Sequence, residues 1–396
     1  MQNKRLHTPE GVRDIYNDEC EKKHYILNRM RHVIQSYGYR FIETPTFEFF
    51  DIFGQEVGTT PSKDLYKFFD REGNTLVLRP DMTPSIARAA SKYFPIETEP
   101  TRLCYEGNVF INNNSYQGRL KESTQLGVEF IGENSVDADG EIIALVVNNL
   151  KAVGLEQFQI SIGHANLFRE LMKEACFHEE EEAQLRDLIL NKNFFGVEEY
   201  LERHNVADDL RQLFSMLGKM YASPKEWSKM QALASKYTGV ASALSYLQNL
   251  YELLEVYDVT QYISFELGLI SPYRYYTGIL FSGYTFGSGE PIVKGGRYDT
   301  LLKHFGKDAA SIGFAIVVDQ LMAALNRQGI NLPISNNSTI IVYTENSAPK
   351  AIMRAIELRK QGIYVEMILK SDDKSKDDYS NFARQNHVDK VEFMED

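Results

Sequence analysis

Gln125 and Glu129 carry the first chemical signal in this chain. They lie in Thr124 to Ile131, a stretch that alternates between apolar and polar positions. Side chains on a strand leave opposite faces in turn, so Gln125, Gly127 and Glu129 share one face while Leu126, Val128 and Phe130 share the other. An amide and a carboxylate on either side of a glycine gap form a floor for a small polar ligand, because together they offer donor, acceptor and negative charge. The same pattern also fits a half-exposed antiparallel strand whose polar groups meet only water. Asp81 and Thr83 add a carboxylate and a hydroxyl on a loop just before a helix that begins near Pro84. An acidic group there also favours a helix N-terminus in its own right. His164, alone at a strand end, reads as structural. Cys20, Cys104 and Cys176 are widely spaced and odd in number, which suggests neither a disulfide framework nor a metal site. Gly287-Ser288-Gly289 and Gly295-Gly296 read as tight turns and lack the spacing of a dinucleotide fingerprint.

Regular elements must hold these groups in place. Leu103 to Ile111 is β-prone and is joined to the Glu129 strand by turn residues from Asn112 to Gly118. Asp18 to Tyr37 places Ile26, Leu27, Met30, Val33, Ile34 and Tyr37 at amphipathic-helix spacing, with Gly38 as a stop, and Tyr39 to Thr44 reads as the next strand. Asp64 to Phe69 and Thr75 to Leu78 form a hairpin closed by Pro80. Asp137 to Val153 is a helix ended by Gly154, Phe158 to Ile162 a strand, and Cys176 to Val256 turns helical and charge-rich. The glutamates Glu179 to Glu182 suit a solvated helix start. Strand character returns over Phe265 to Phe286, and Ala310 to Val318 runs into a helix at Asp319 to Leu325. Asn331 to Ser338 reads as a linker to a β-α-β-α-β tail.

Several of these stretches resemble the motifs of class II histidyl-tRNA synthetases, in the same order along the chain. Thr8 to Asp14 with Pro45 is similar to the amino-terminal segment and first motif of that family, and Leu78-Arg79-Pro80-Asp81-Met82-Thr83 to its amino-acid-binding loop. Tyr105 to Phe110, Gln117-Gly118-Arg119 and Gln125 to Glu129 resemble the second motif. Tyr275-Tyr276-Thr277-Gly278 looks like the histidine-specific segment, and Gly295 to Asp299 with Gly313-Phe314-Ala315 like the third motif. The resemblance spans about residues 8 to 325 and implies an α+β fold with an antiparallel sheet, a helical insertion at about 176–256 and a homodimer core. It also implies a linker at 326–337 and a shortened anticodon-binding-like α/β domain at 338–396. It places Asp81 on a ligand α-amino group and Tyr275 and Tyr276 around an imidazole, with Thr83, Gln125 and Glu129 in the same pocket. An aromatic supplies a flat wall and a phenol that can bond a ring nitrogen, although core packing is the plain alternative in a chain with 23 tyrosines.

The departures point away from catalysis. Family arginines that grip ATP and the histidine carboxylate fall on Ile111, Ser271 and Gln320. Preorganised positive charge is what stabilises adenylate formation, and losing one such donor costs on the order of 10²–10³ in rate. Arg274, three residues from Ser271, is the candidate to recover the carboxylate. A chain of this kind resembles the regulatory subunits of ATP phosphoribosyltransferase, which pair with a short catalytic subunit in the first step of histidine biosynthesis. That resemblance implies a non-catalytic, cytoplasmic member of a hetero-oligomer, with histidine as effector and no cofactor. An active synthetase and a stand-alone histidine-binding protein are the alternatives. The chain has 396 residues, 43% of them apolar, and 43 basic residues against 55 acidic, a balance of −12. That sign works against a nucleic-acid partner, as does the balance of nine Lys/Arg against eleven Asp/Glu from Ser338 onward. No signal peptide or membrane-length apolar run is expected.

Overall fold

The computed structural model describes residues 6–54, 60–113, 120–270, 276–334 and 337–395. The chain divides into two compact units, residues 1–332 and 333–396.

The first unit opens with α1 (Asn17–Ser36), which buries Ile26, Leu27, Met30 and Ile34. Gly38 follows in the left-handed region, at φ 83°, where a residue without Cβ turns the chain at no steric cost. β1 (Arg40–Phe41) is shorter than the strand expected over Tyr39 to Thr44. The ladder stops because the backbone of residues 44–45 instead serves Arg79, whose guanidinium takes the carbonyls of Thr44 and Pro45. β2 (Phe47–Phe49), β3 (Lys67–Phe69) and β4 (Thr75–Leu78) make a small antiparallel sheet in the order β2-β4-β3. It leads into α2 (Thr83–Tyr93), which has proline in its first turn as expected.

β5 (Thr101–Phe110) and β6 (Glu122–Ile131) then pair along their whole length, α3 (Val136–Ala152) follows, and β7 (Phe158–His164) returns to the sheet. Four helices come next: α4 (Ala165–Glu174), α5 (Glu179–Leu190), α6 (Phe194–Arg203) and α7 (Asp208–Met216). The short β8 (Met220–Tyr221), α8 (Ser228–Ala234) and α9 (Thr238–Val256) complete this segment. Helical structure thus begins at Ala165, earlier than the expected Cys176. β9 (Ile263–Glu266), β10 (Ile279–Thr285), β11 (Val293–Arg297), β12 (Ser311–Val317) and α10 (Val318–Arg327) end the unit.

Among the described residues nine strands form one mixed sheet, in the order β1-β5-β6-β12-β11-β10-β7-β9-β8. All its pairings are antiparallel except β1 with β5 and β7 with β9. The two faces differ in what they bury. On one, Leu126, Val128, Phe130, Phe281, Phe314 and neighbours pack under α1, α3 and α9 in the main core. Each such side chain contributes roughly 1.5–3 kcal/mol on burial. On the other face, Leu103, Tyr105, Val109 and Ile131 pack with Met82, with Ile86 of α2 and with Tyr298. Gly295-Gly296 is not the turn expected from sequence but lies within β11, paired with Gly313 and Phe314 of β12. Those glycines serve close approach: a Cβ on Gly295 would fall 2.3 Å from the Phe281 ring, and one on Gly296 would fall 2.6 Å from that of Tyr276.

The second unit is a parallel three-stranded sheet, β14-β13-β15. Its elements are β13 (Ser338–Tyr343), α11 (Ala348–Lys360), β14 (Tyr364–Leu369), α12 (Lys376–Gln385) and β15 (Lys390–Met394), the β-α-β-α-β order expected. Ile340 and Val342 pack under one helix and Ile341 under the other, as strand alternation requires. No described helix is long and apolar enough to cross a membrane.

Candidate functional site

Strand register builds the site on the sheet face opposite the main core. Glu129, Gly313 and Gly296 stand side by side across β6, β12 and β11; the next row is Gly127, Ala315 and Lys294, and the next pairs Gln125 with Val317. Residues paired across strands point to the same face, so this face carries small side chains where the opposite face carries large ones. A Cβ on Gly313 would fall 1.8 Å from Glu129 Oε2. The glycine is what lets the carboxyl lie flat over the sheet. The expected gap at Gly127 is filled from within, since a Cβ there would fall 2.4 Å from the Tyr105 hydroxyl.

The result is a cavity of about 160 Å3 lined by Thr60, Pro80, Asp81, Thr83, Ile111, Gln125, Glu129, Tyr276, Lys294, Tyr298 and the floor residues 295, 296 and 313–315. Sites for drug-sized ligands run to roughly 300–1,000 Å3, so this one fits a small metabolite. Asp81, Thr83, Gln125, Glu129 and Tyr276 are therefore brought together as the sequence suggested, while Arg274, Tyr275 and the emptied position Ser271 lie outside the described residues. Ile111, the position to which the resemblance assigns an ATP-gripping arginine, borders the cavity. Gln320 lies on α10 and does not line it. Tyr276 also borders a larger cleft, about 480 Å3, where Phe168, Arg169 and Arg186 meet Glu179, Glu182 and Asp187.

Glu129 dominates the electrostatics. It is 1% exposed, Thr83 Oγ1 donates to its Oε1 at 2.7 Å, and the Tyr298 hydroxyl donates to its Oε2. Burial pushes its pKa up to about 8; the two hydroxyl donors oppose the shift and the nearby Asp81 charge adds to it. No described cation pairs with it, so below about pH 8 the carboxyl keeps its proton and can exchange a hydrogen bond with a ligand ring nitrogen, and a bound cation would favour its ionised form. Asp81, half-buried, accepts from its neighbour Met82 N at 2.7 Å, which holds it at the start of α2. Gln125 Oε1 is buried with no partner among the described residues, an acceptor suited to a ligand donor. Arg79, although it lies in the same loop, is a clamp: it donates to the carbonyls of Thr44 and Asn108, each at 2.8 Å.

Tyr298 and Lys294 were not singled out from sequence. Period-two spacing from Gly296 would have found both, had the glycine pair been read as strand.

Beneath the floor runs a buried network on the core face. Arg297 pairs with Asp139 of α3 at 2.5 Å, with exposures of 4% and 0%. The Tyr246 hydroxyl of α9 donates to Asp139 at 2.7 Å. Thr277, next to Tyr276, donates through Oγ1 to Asp299 at 2.7 Å. His164 is structural as expected: its Nδ1 accepts from Asn166 N at the start of α4, and burial lowers its pKa to about 4. Among the described residues no group of His, Cys, Asp and Glu side chains could hold a metal ion.

The family model for histidyl-tRNA synthetase matches residues 11–321. A curated relative from Acetivibrio thermocellus, an ATP phosphoribosyltransferase regulatory subunit, is 39% identical over 93% of this chain and 88% of its own. The chain belongs to the ATP phosphoribosyltransferase regulatory subunits. A solved structure from Bacillus halodurans, described as an ATP phosphoribosyltransferase regulatory subunit/histidyl-tRNA synthetase, superposes with a TM-score of 0.87 at 32% identity and 98% coverage of both chains. A histidyl-tRNA synthetase from Nostoc sp. superposes at 0.82 with 20% identity, covering 97% of this chain and 90% of that one, which shows the shared fold. The fold is thus class II synthetase-like, and the family's role is regulatory rather than catalytic.

Proposed function

We propose that this chain works only in complex with a short catalytic subunit of ATP phosphoribosyltransferase and senses L-histidine in the cavity over β6, β11 and β12. The buried Glu129 carboxyl carries this reading. It is held by two neutral hydroxyls and has no described cation, so an imidazole N–H is the partner it lacks. Asp81 and Gln125 would take the α-ammonium, Thr83 would fix Glu129, and Tyr276 with Tyr275 would wall the ring, with Arg274 close by in sequence. Ile111 in the cavity leaves an ATP phosphate without the cation used in synthetases, which favours a sensor over an active synthetase.

A homodimer core is part of the same reading. Phe41, Phe47, Phe49, Phe68 and Phe69 are all exposed, Phe69 to 72%, and such aromatic clusters commonly mark association surfaces. The 338–396 segment is read as a remnant anticodon-binding domain beyond a linker at 326–337; its acidic balance and the overall −12 argue against nucleic acid. A cytoplasmic location follows from the partner's biosynthetic role.

Calorimetric titration of histidine into the chain, alone and with the catalytic subunit, tests the proposal. Binding that is lost in Glu129→Ala, and an affinity that changes when the partner is added, are the expected results. Heat-silent titrations in both states would overturn it.

A further inference from the structure

The cavity as described so far has an acidic bias that a zwitterion would resist. Asp81 suits an ammonium, and the Glu129 carboxyl, which keeps its proton up to about pH 8, suits a ring nitrogen; an amino acid also brings a carboxylate, which the Asp81 charge repels in a small site. A pocket with Asp81 and no cation would prefer the decarboxylated amine. One side chain corrects the balance. Lys294 stands opposite Ala315, which pairs with Gly127, and so it leaves the sheet on the face that carries Gln125 and Glu129. It lines the same cavity, and its side chain forms no hydrogen bond or ion pair with any described residue. Nearby cations are committed: Arg79 to backbone carbonyls, Arg88 to Glu48 at 2.7 Å, and Arg297 to Asp139 on the opposite face. Its row lies about 7 Å along β11 from the Glu129 row and about two strand spacings, ~10 Å, across from β6. A lysine stem spans part of that distance, leaving room for one amino acid between the ammonium group and the buried carboxyl.

We propose that Lys294 binds the ligand carboxylate and thereby makes the site select an amino acid over its amine. The assignment rests on the histidine reading above and extends it to the ligand's carboxylate.

Titration of the full chain with L-histidine and with histamine, for wild type, Lys294→Ala, Lys294→Arg and Arg274→Ala, provides the test. Wild type should prefer histidine. Lys294→Ala should weaken histidine by roughly ten- to a hundredfold, the usual worth of a charge-assisted hydrogen bond, and leave histamine within about twofold. Lys294→Arg should restore most of the preference. Because the side chain is exposed, melting temperatures should match wild type. An unchanged preference in Lys294→Ala, equal loss of both ligands, or loss of the preference in Arg274→Ala alone would overturn the lysine assignment while leaving histidine binding in place. Wild type that binds neither ligand would overturn both.

Discussion

Two buried titratable side chains give this protein opposite pH responses. Glu129 has its pKa raised to about 8 in the folded chain, against roughly 4.3 unfolded. Between those values the native state holds a proton that the unfolded chain has released, so stability falls as pH rises through the window. Melting temperatures measured from pH 5 to pH 8 should decline for the wild type relative to Glu129→Gln, whose amide does not titrate. His164 acts in the other direction. Its folded pKa is lowered to about 4, against roughly 6.5 unfolded. Its contribution is present above the unfolded value and is lost as pH falls toward 4. His164→Asn keeps an acceptor for Asn166 N and removes the titration, so its urea midpoint should vary less than the wild type's between pH 6.5 and 4.

At the level of strands and helices, the floor of the site depends on Gly313 more than on any polar residue. Gly313→Ala would place a methyl 1.8 Å from Glu129 Oε2 and 2.4 Å from the Val128 carbonyl. The carboxyl must move, and overpacking of this kind costs about 1–3 kcal/mol. Histidine binding should be abolished and the denaturation midpoint lowered. The Arg297–Asp139 pair tests a different bond between elements. Removing one partner of a buried pair costs about 3–5 kcal/mol, so Asp139→Ala should destabilise the chain by that order in chemical denaturation. Much of this architecture was legible beforehand, because α1, α3 and β6 advertise their buried faces by periodicity and their ends by glycine. Gln125 and Glu129 could be placed on one face by alternation alone. The errors fell where tertiary contact decides. Gly295-Gly296 looks like a turn locally and is a strand only because Phe281 and Tyr276 lie against it. The space beside Gly127 looks open in sequence and is taken by Tyr105, a residue that lies on another strand.

For the molecule as a whole, the family membership and the missing arginines make a joint prediction. Pyrophosphate exchange with histidine and ATP should stay at background, and restoring one cation by Ile111→Arg should not recover it, since catalytic groups that act together fail together. With the catalytic subunit present, coupling must be reciprocal: the factor by which the partner changes histidine affinity should equal the factor by which histidine changes the partner's affinity. The segment between β7 and β9 bears on how such a molecule can be cut. It contributes the edge strand β8, whose Tyr221 pairs with Phe265, it buries Trp227 against that same phenylalanine, and through Tyr246 it bonds Asp139. Its apolar residues belong to the same core as the sheet. A shortened protein lacking these helices would therefore present a raw β edge and an unroofed aromatic cluster to water, and should be recovered as aggregate rather than as a smaller working subunit.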